Sequence, residues 1–190
     1  MRKVPGNLLP LLVCGMTLLA APASAYADSP RHFLEDALRA DNSEIMLGRM
    51  AAQRARDPQV REFGRTLARD HRHARDEVIL VGRRFGLWAN RAVTNEARDF
   101  RDRLNHARGR EFDREFVRYM VDDHRKDIDR FREEAREQRG PVGRLAERQL
   151  PSLQNHLDIA LRLDRFDDRR AERSNDWRDR DGRGRDWRER

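Results

Sequence analysis

Between residues 31 and 164 apolar side chains recur at intervals of three and four, the spacing that lines one face of an α-helix, and glycines and prolines fall where such runs stop. The pattern predicts a first helix over about 31–56, with a seam stepping through Phe33, Ala37, Ala40, Glu44, Leu47 and Ala51. Asp57-Pro58 then supplies a cap and the residue suited to a first helical position. A second helix therefore starts there and runs to about Phe85, placing Val60, Gly64, Leu67, His71, Ala74, Val78 and Val81 on its seam before Gly86 ends it. Residues 87–109 read as a connection with its own short helix, roughly 94–107, and a third long helix spans about 110–138. After Gly140-Pro141 a fourth helix sets Val142, Ala146, Gln149, Leu153, His156, Ala160 and Leu163 on one stripe, with Pro151 expected to kink it. The predicted fold is all-α, a four-helix bundle with a short extra helix in the connection between helices 2 and 3.

Each long helix carries one polar residue inside its apolar seam: Glu44, His71, His124 and His156. Residues 44 and 71 are centred on the Asp57-Pro58 turn, and 124 and 156 are centred on Gly140, so each antiparallel hairpin sets its pair face to face. His71 lies 15 residues before Gly86 and His124 15 after Gly109, so at a rise of about 1.5 Å per residue all four share one layer near mid-bundle. A lone seam histidine is ordinarily a satisfied core residue. Three neutral imidazoles and a carboxylate in one desolvated layer are costly unless a divalent cation or a closed hydrogen-bond network satisfies them. The first alternative predicts a metal site of Glu44, His71, His124 and His156, with Asp70, Asp123 and Asp127 accepting the imidazole N–H groups that face away from the ion. Nitrogen-rich ligation favours zinc, with copper, nickel or iron as further possibilities. His32, His73 and His106 fall off the seams and are expected at the surface. Lys126 is expected either to reflect a bias toward arginine or to pair with Asp122, Asp123 or Asp129 on its own helix.

The ends of the chain differ in character from the middle. Residues 1–27 combine basic Arg2 and Lys3, an apolar run from Leu8 to Ala20 and the small-residue site Ala23-Ser24-Ala25, which together predict a cleaved export signal and a periplasmic protein. The run is shorter than the roughly 20 residues a bilayer span needs and contains Pro10 and Gly15. Cleavage would remove Cys14, the single cysteine; a lipid anchor on Cys14 is the minor alternative. Residues 165–190 are dense in Arg and Asp and poor in apolar residues, which predicts a disordered tail. Trp177 and Trp187 in that tail could stack on a glycan, a lipid headgroup or a nucleobase, but the alternation of Arg and Asp first suggests a solubilising polyampholyte tail. The formal net charge is +7, but 39% of residues are charged and the two signs interleave, the pattern of solvated helix faces rather than of nucleic-acid binding. No Ser-His-Asp order, phosphate-binding glycine loop or paired-carboxylate motif occurs, so a binding protein rather than an enzyme is expected.

The segments FLEDALRADNSEIMLGRMAAQRARDPQVREFGRTLARDH, GREFDREFVRYMVDDHRKDIDRF and LPSLQNHLDIAL resemble the bacterial exported family catalogued as domain of unknown function 4142, over about residues 31–163. That resemblance implies a ferritin-like bundle, periplasmic or attached at the surface, and no particular reaction. Di-iron bundles of the ferritin type have Glu-x-x-His on two helices. Here Val121 stands three before His124 and Leu153 three before His156, so the pair is absent from both helices, and an iron-oxidising centre is not expected. The overall expectation is one transition metal held in the core, in envelope metal handling or stress protection. The alternative is a metal-free envelope module that binds anionic lipid or cell-wall polymer. The oligomeric state is left open.

Overall fold

A computed structural model describes the backbone of residues 30–183 and the side chains of residues 30–166. Five α-helices follow one another: α1 Pro30–Arg54, α2 Pro58–Gly82, α3 Asn95–His106, α4 Gly109–Glu137 and α5 Pro141–Arg183, with a 3-10 turn over Arg83–Phe85. No strand occurs among the described residues, and no helix there is long and apolar enough to cross a membrane. The expected all-α four-helix bundle with a short extra helix is the observed fold. The predicted export signal and Cys14 lie outside the described residues.

Local chemistry sets the boundaries. Asp57 caps α2 by accepting a hydrogen bond from the backbone N–H of Gln59 at 2.7 Å, with Pro58 as the next residue. Thr94 caps α3 through the N–H of Ala97. Gly86 ends the 3-10 turn in the left-handed region at φ 71°, where a side chain would be strained.

α1 with α2 and α4 with α5 form the two antiparallel hairpins. The α1–α2 pair meets unusually closely, since a Cβ on Gly48 would lie 2.7 Å from the Gly64 carbonyl oxygen and one on Gly64 would lie 2.6 Å from that of Gly48. The connection between hairpins crosses the length of the bundle. Arg31 near the start of α1 donates to the Phe85 carbonyl at one end. At the other end both carboxylate oxygens of Asp113, near the start of α4, accept from the backbone N–H groups of Arg56 and Asp57 at 2.8 Å. The α2 and α4 helices therefore run in the same direction. Partway along, Asn42 donates to the carbonyls of Asn90 and Ala92, and Ser43 accepts from the N–H of Thr94, fixing the crossing segment to α1.

The backbone of α5 continues to Arg183, into the segment expected to be disordered. That segment has no glycine or proline before Gly182, and Arg, Ala and Glu favour a helix even without an apolar face to bury. Lys126 reaches across to Glu96 of α3 at 3.0 Å rather than to an aspartate of its own helix, because the crossing segment brings α3 alongside α4.

The apolar core is in two parts. One cluster includes Leu47, Phe63, Leu67, Phe112, Phe116 and Met120; the other includes Phe33, Leu38, Val78, Phe131, Leu145 and Leu153. The residues that would join them are Asp41, Glu44, His71, His124 and His156, all buried.

Candidate metal centre

The polar layer predicted from the turns is present at mid-bundle. His124 is 0% exposed, His156 and Glu44 1% and His71 4%, so none of these polar side chains is solvated. The three imidazoles meet at ring-centroid separations of 5.3, 5.3 and 5.8 Å. One nitrogen from each lies within 4.8 Å of the others.

Hydrogen-bond partners assign the hydrogens. His124 Nδ1 is 3.0 Å from the Met120 carbonyl oxygen, which can only accept, so Nδ1 donates and the lone pair is on Nε2. His156 Nε2 is 3.0 Å from Asp70 Oδ2. Burial pushes the Asp70 carboxyl up, but the hydrogen bonds from His156 and Arg69 outweigh it and hold the group below its ordinary range. Asp70 is thus a charged acceptor, and the lone pair of His156 is on Nδ1. His71 Nδ1 lies 2.9 Å from Asp41 Oδ1; burial raises the Asp41 carboxyl well above its ordinary range, but with its proton on Oδ2 the carbonyl oxygen Oδ1 still accepts, and with Nδ1 donating there His71 Nε2 has no partner among the described residues.

The consequence is a convergence of three nitrogen lone pairs. His124 Nε2 and His156 Nδ1 are 3.3 Å apart with no hydrogen between them in this assignment, and His71 Nε2 is orphaned beside them. Such a group repels itself unless a cation or an added proton sits at its centre. An added proton is disfavoured. Burial, followed for His156 by the positive charge His71 would carry, pushes His71 and His156 down to about 4. Burial and the two neighbouring imidazoles push His124 well below its ordinary value. At neutral pH all three are neutral, the form that ligates metal.

Glu44 occupies the same layer but belongs to a second grouping. Its carboxylate, Asp123 and His124 each offer one atom within 4.8 Å of the others, and apart from Asp123 neither Glu44 oxygen has a hydrogen-bond partner among the described residues. Burial and then the charge of Asp123 raise Glu44 well above the ordinary carboxylate range. Burial and then Asp123 likewise raise Asp127 to about 8.

Of the residues expected to orient the imidazoles, Asp70 does so. Asp123 and Asp127 do not, because the Met120 carbonyl one turn earlier takes the N–H of His124 and Asp41 takes that of His71. Asp41 was not anticipated. It lies four residues after Ala37 and three before Glu44, so the seam periodicity that singled out Glu44 applied equally to it. His32, His73 and His106 are exposed, as expected.

A cavity of about 250 Å³ opens between α2 and α5 and leads to the triad, with His73 and Glu77 toward its rim and His71 and His156 in its wall. Arg148 on α5 faces Glu77 on α2 across it at 3.6 Å.

Residues 16–163 match the family described as "Domain of unknown function (DUF4142)". No curated protein matches the chain. Among solved structures the chain is similar to "CopM in the Cu(II)-bound form", at 19% sequence identity and a TM-score of 0.61 over 72% of this chain and 96% of that one. At that identity the likeness concerns the helical fold.

Proposed function

We propose, for a chain that belongs to the DUF4142 family of unknown function, that it binds one transition-metal ion in its core through His71, His124 and His156 and serves metal handling or stress protection in the cell envelope. The observation that carries the reading is the convergence of three neutral imidazole lone pairs whose outer nitrogens are already occupied by Asp41, Met120 and Asp70. Buried nitrogens so arranged suit zinc or copper ahead of magnesium or calcium. The similarity to a structure named for bound Cu(II) adds weight to copper beside zinc. The cavity between α2 and α5 offers an ion a route to the triad. Export, read from residues 1–27, would place the protein where such ions arrive from outside the cell. Binding rather than turnover is the role proposed, since the layer is enclosed by four helices and flanked on both sides by apolar core.

Titration of chelator-stripped protein with Zn²⁺ or Cu²⁺ tests this. The expected result is one ion per chain with a dissociation constant of about micromolar or below. Failure to bind zinc, copper or nickel at that concentration would leave the bundle without its proposed function.

A further inference from the structure

The buried layer contains more donors than one ion of the histidine triad uses. We propose that it holds a second, alternative cation position made by Glu44, Asp123 and His124, suited to a harder divalent ion such as Mn²⁺. The inference rests on the metal-binding reading above and extends it to ion selectivity.

Three observations carry it. Glu44, Asp123 and His124 bring one donor atom each within 4.8 Å of the others, a set of two carboxylates and one imidazole distinct from the three nitrogens of the triad. Glu44 is 1% exposed, and apart from an interaction with Asp123, the other carboxyl of the same group, neither of its oxygens has a hydrogen-bond partner among the described residues, so a buried and a half-buried carboxyl face one another where a cation would satisfy both. The two positions also open on different faces of the bundle. The triad is reached from the α2–α5 cavity, whereas Asp123 lines a separate hollow on the α1–α4 side, near Tyr119 and Lys126. Asp127 lines both. Lys126 and Arg130 stand beside the second opening, each paired with a carboxylate, Glu96 and Asp36 respectively.

Donor chemistry separates the two positions. Imidazole nitrogens select copper, zinc and nickel, whereas carboxylate oxygens suit manganese and magnesium. Occupancy is also exclusive. His124 belongs to both groups, its Nδ1 is held by the Met120 carbonyl, and the one remaining lone pair on Nε2 can ligate one ion at a time. An ion can therefore sit on the nitrogen side or the oxygen side, but two ions cannot use His124 together. Passage between the positions would carry an ion from one face of the bundle to the other.

The test uses the full chain, stripped with chelator and titrated with Zn²⁺ and Mn²⁺ separately and then together, with bound metal counted by mass spectrometry and Mn²⁺ followed by paramagnetic resonance. Glu44→Gln and Asp123→Asn should each weaken Mn²⁺ binding by about tenfold or more while leaving Zn²⁺ binding within about threefold. His156→Ala should do the reverse. Saturating Zn²⁺ should expel Mn²⁺ from the parent protein. Circular dichroism of each variant separates loss of a ligand from loss of the fold, and Asp123, which is only half-buried, provides the variant least exposed to that ambiguity. The inference is overturned if Zn²⁺ binds and Mn²⁺ does not, if Mn²⁺ binding is indifferent to both carboxylate variants, or if the two ions bind simultaneously. Absence of Zn²⁺ binding would instead remove the histidine reading on which it stands.

Discussion

Replacing His124 by leucine should weaken Zn²⁺ binding by at least about a hundredfold and at the same time make the metal-free protein more stable. His124 is 0% exposed and is common to both donor groups, so its loss removes a ligand that no neighbour can supply. The gain in the metal-free state follows from the same geometry. The Met120 carbonyl that holds His124 Nδ1 is also the acceptor for the helical N–H of residue 124, so leucine does not leave it unsatisfied. Leucine would further join the two apolar clusters that the polar layer now separates, and would relieve the lone-pair contact with His156 at 3.3 Å. Removing a buried polar atom that has no partner relieves its desolvation cost, about 1–3 kcal/mol, and an apolar side chain of similar size fills the space. Urea denaturation of the stripped variant, alongside titration, reads both effects. Unchanged zinc affinity would remove His124 from the site, and a large loss of stability would mean the layer is a satisfied hydrogen-bond network rather than a set of metal ligands.

Without metal, stability should fall as pH rises from about 6.5 to 8. In the folded protein burial raises Asp41 and Glu44 well above their ordinary values, and burial with Asp123 raises Asp127 to about 8. Unfolded, these groups titrate near 3.8 to 4.5. Between those values the unfolded chain has lost protons that the folded chain retains, so raising the pH favours unfolding, by about 1.4 kcal/mol per pH unit for Asp127 until it titrates at about 8, with Asp41 and Glu44 acting in the same direction. The histidines act in the opposite sense but over a lower window. His71 and His156 are depressed to about 4 from 6.5, so the unfolded chain takes up protons as pH falls through 6.5 and stability is lost toward 4. Between about 4.5 and 6.5 the two effects oppose one another; above 6.5 only the carboxyls remain. A bound divalent cation favours the ionised carboxylates and should flatten the decline. Urea denaturation at a series of pH values, with and without Zn²⁺, checks this; a metal-free protein that grows more stable from pH 6.5 to 8 would contradict the assignment of neutral, buried carboxyls.

Much of the layer is legible in periodicity and turn position alone. The three-and-four stepping marked the helices, and the Asp57-Pro58 and Gly140 turns fixed the heights of residues 44, 71, 124 and 156, because an antiparallel hairpin equates distance from its turn with height in the bundle. The azimuth of each side chain was not encoded so simply. Glu44 shares the height of the histidines yet groups with Asp123 and His124, and the three-and-four spacing fits Ala40 and Asp41 equally well, although Ala40 is only half-buried and Asp41 is buried. Which acceptor takes an imidazole N–H depends on ring rotation, and for His124 a backbone carbonyl prevailed over the aspartates. The crossing connection and the Lys126–Glu96 pair depend on how the two hairpins are joined, which no local pattern dictates. In α5, helix propensity and packing diverge: the lack of an apolar face after residue 164 argues against burial, but not against a helical backbone.

The central claim concerns the atoms that hold the ion, and X-ray absorption spectroscopy of the protein loaded with one equivalent of Zn²⁺ reads them most directly. The predicted first coordination sphere contains three imidazole nitrogens at about 2.0–2.1 Å, with the multiple-scattering signature of histidine rings. A sphere made only of oxygen, or one with a single imidazole, would contradict the convergence of His71, His124 and His156 on a common ion.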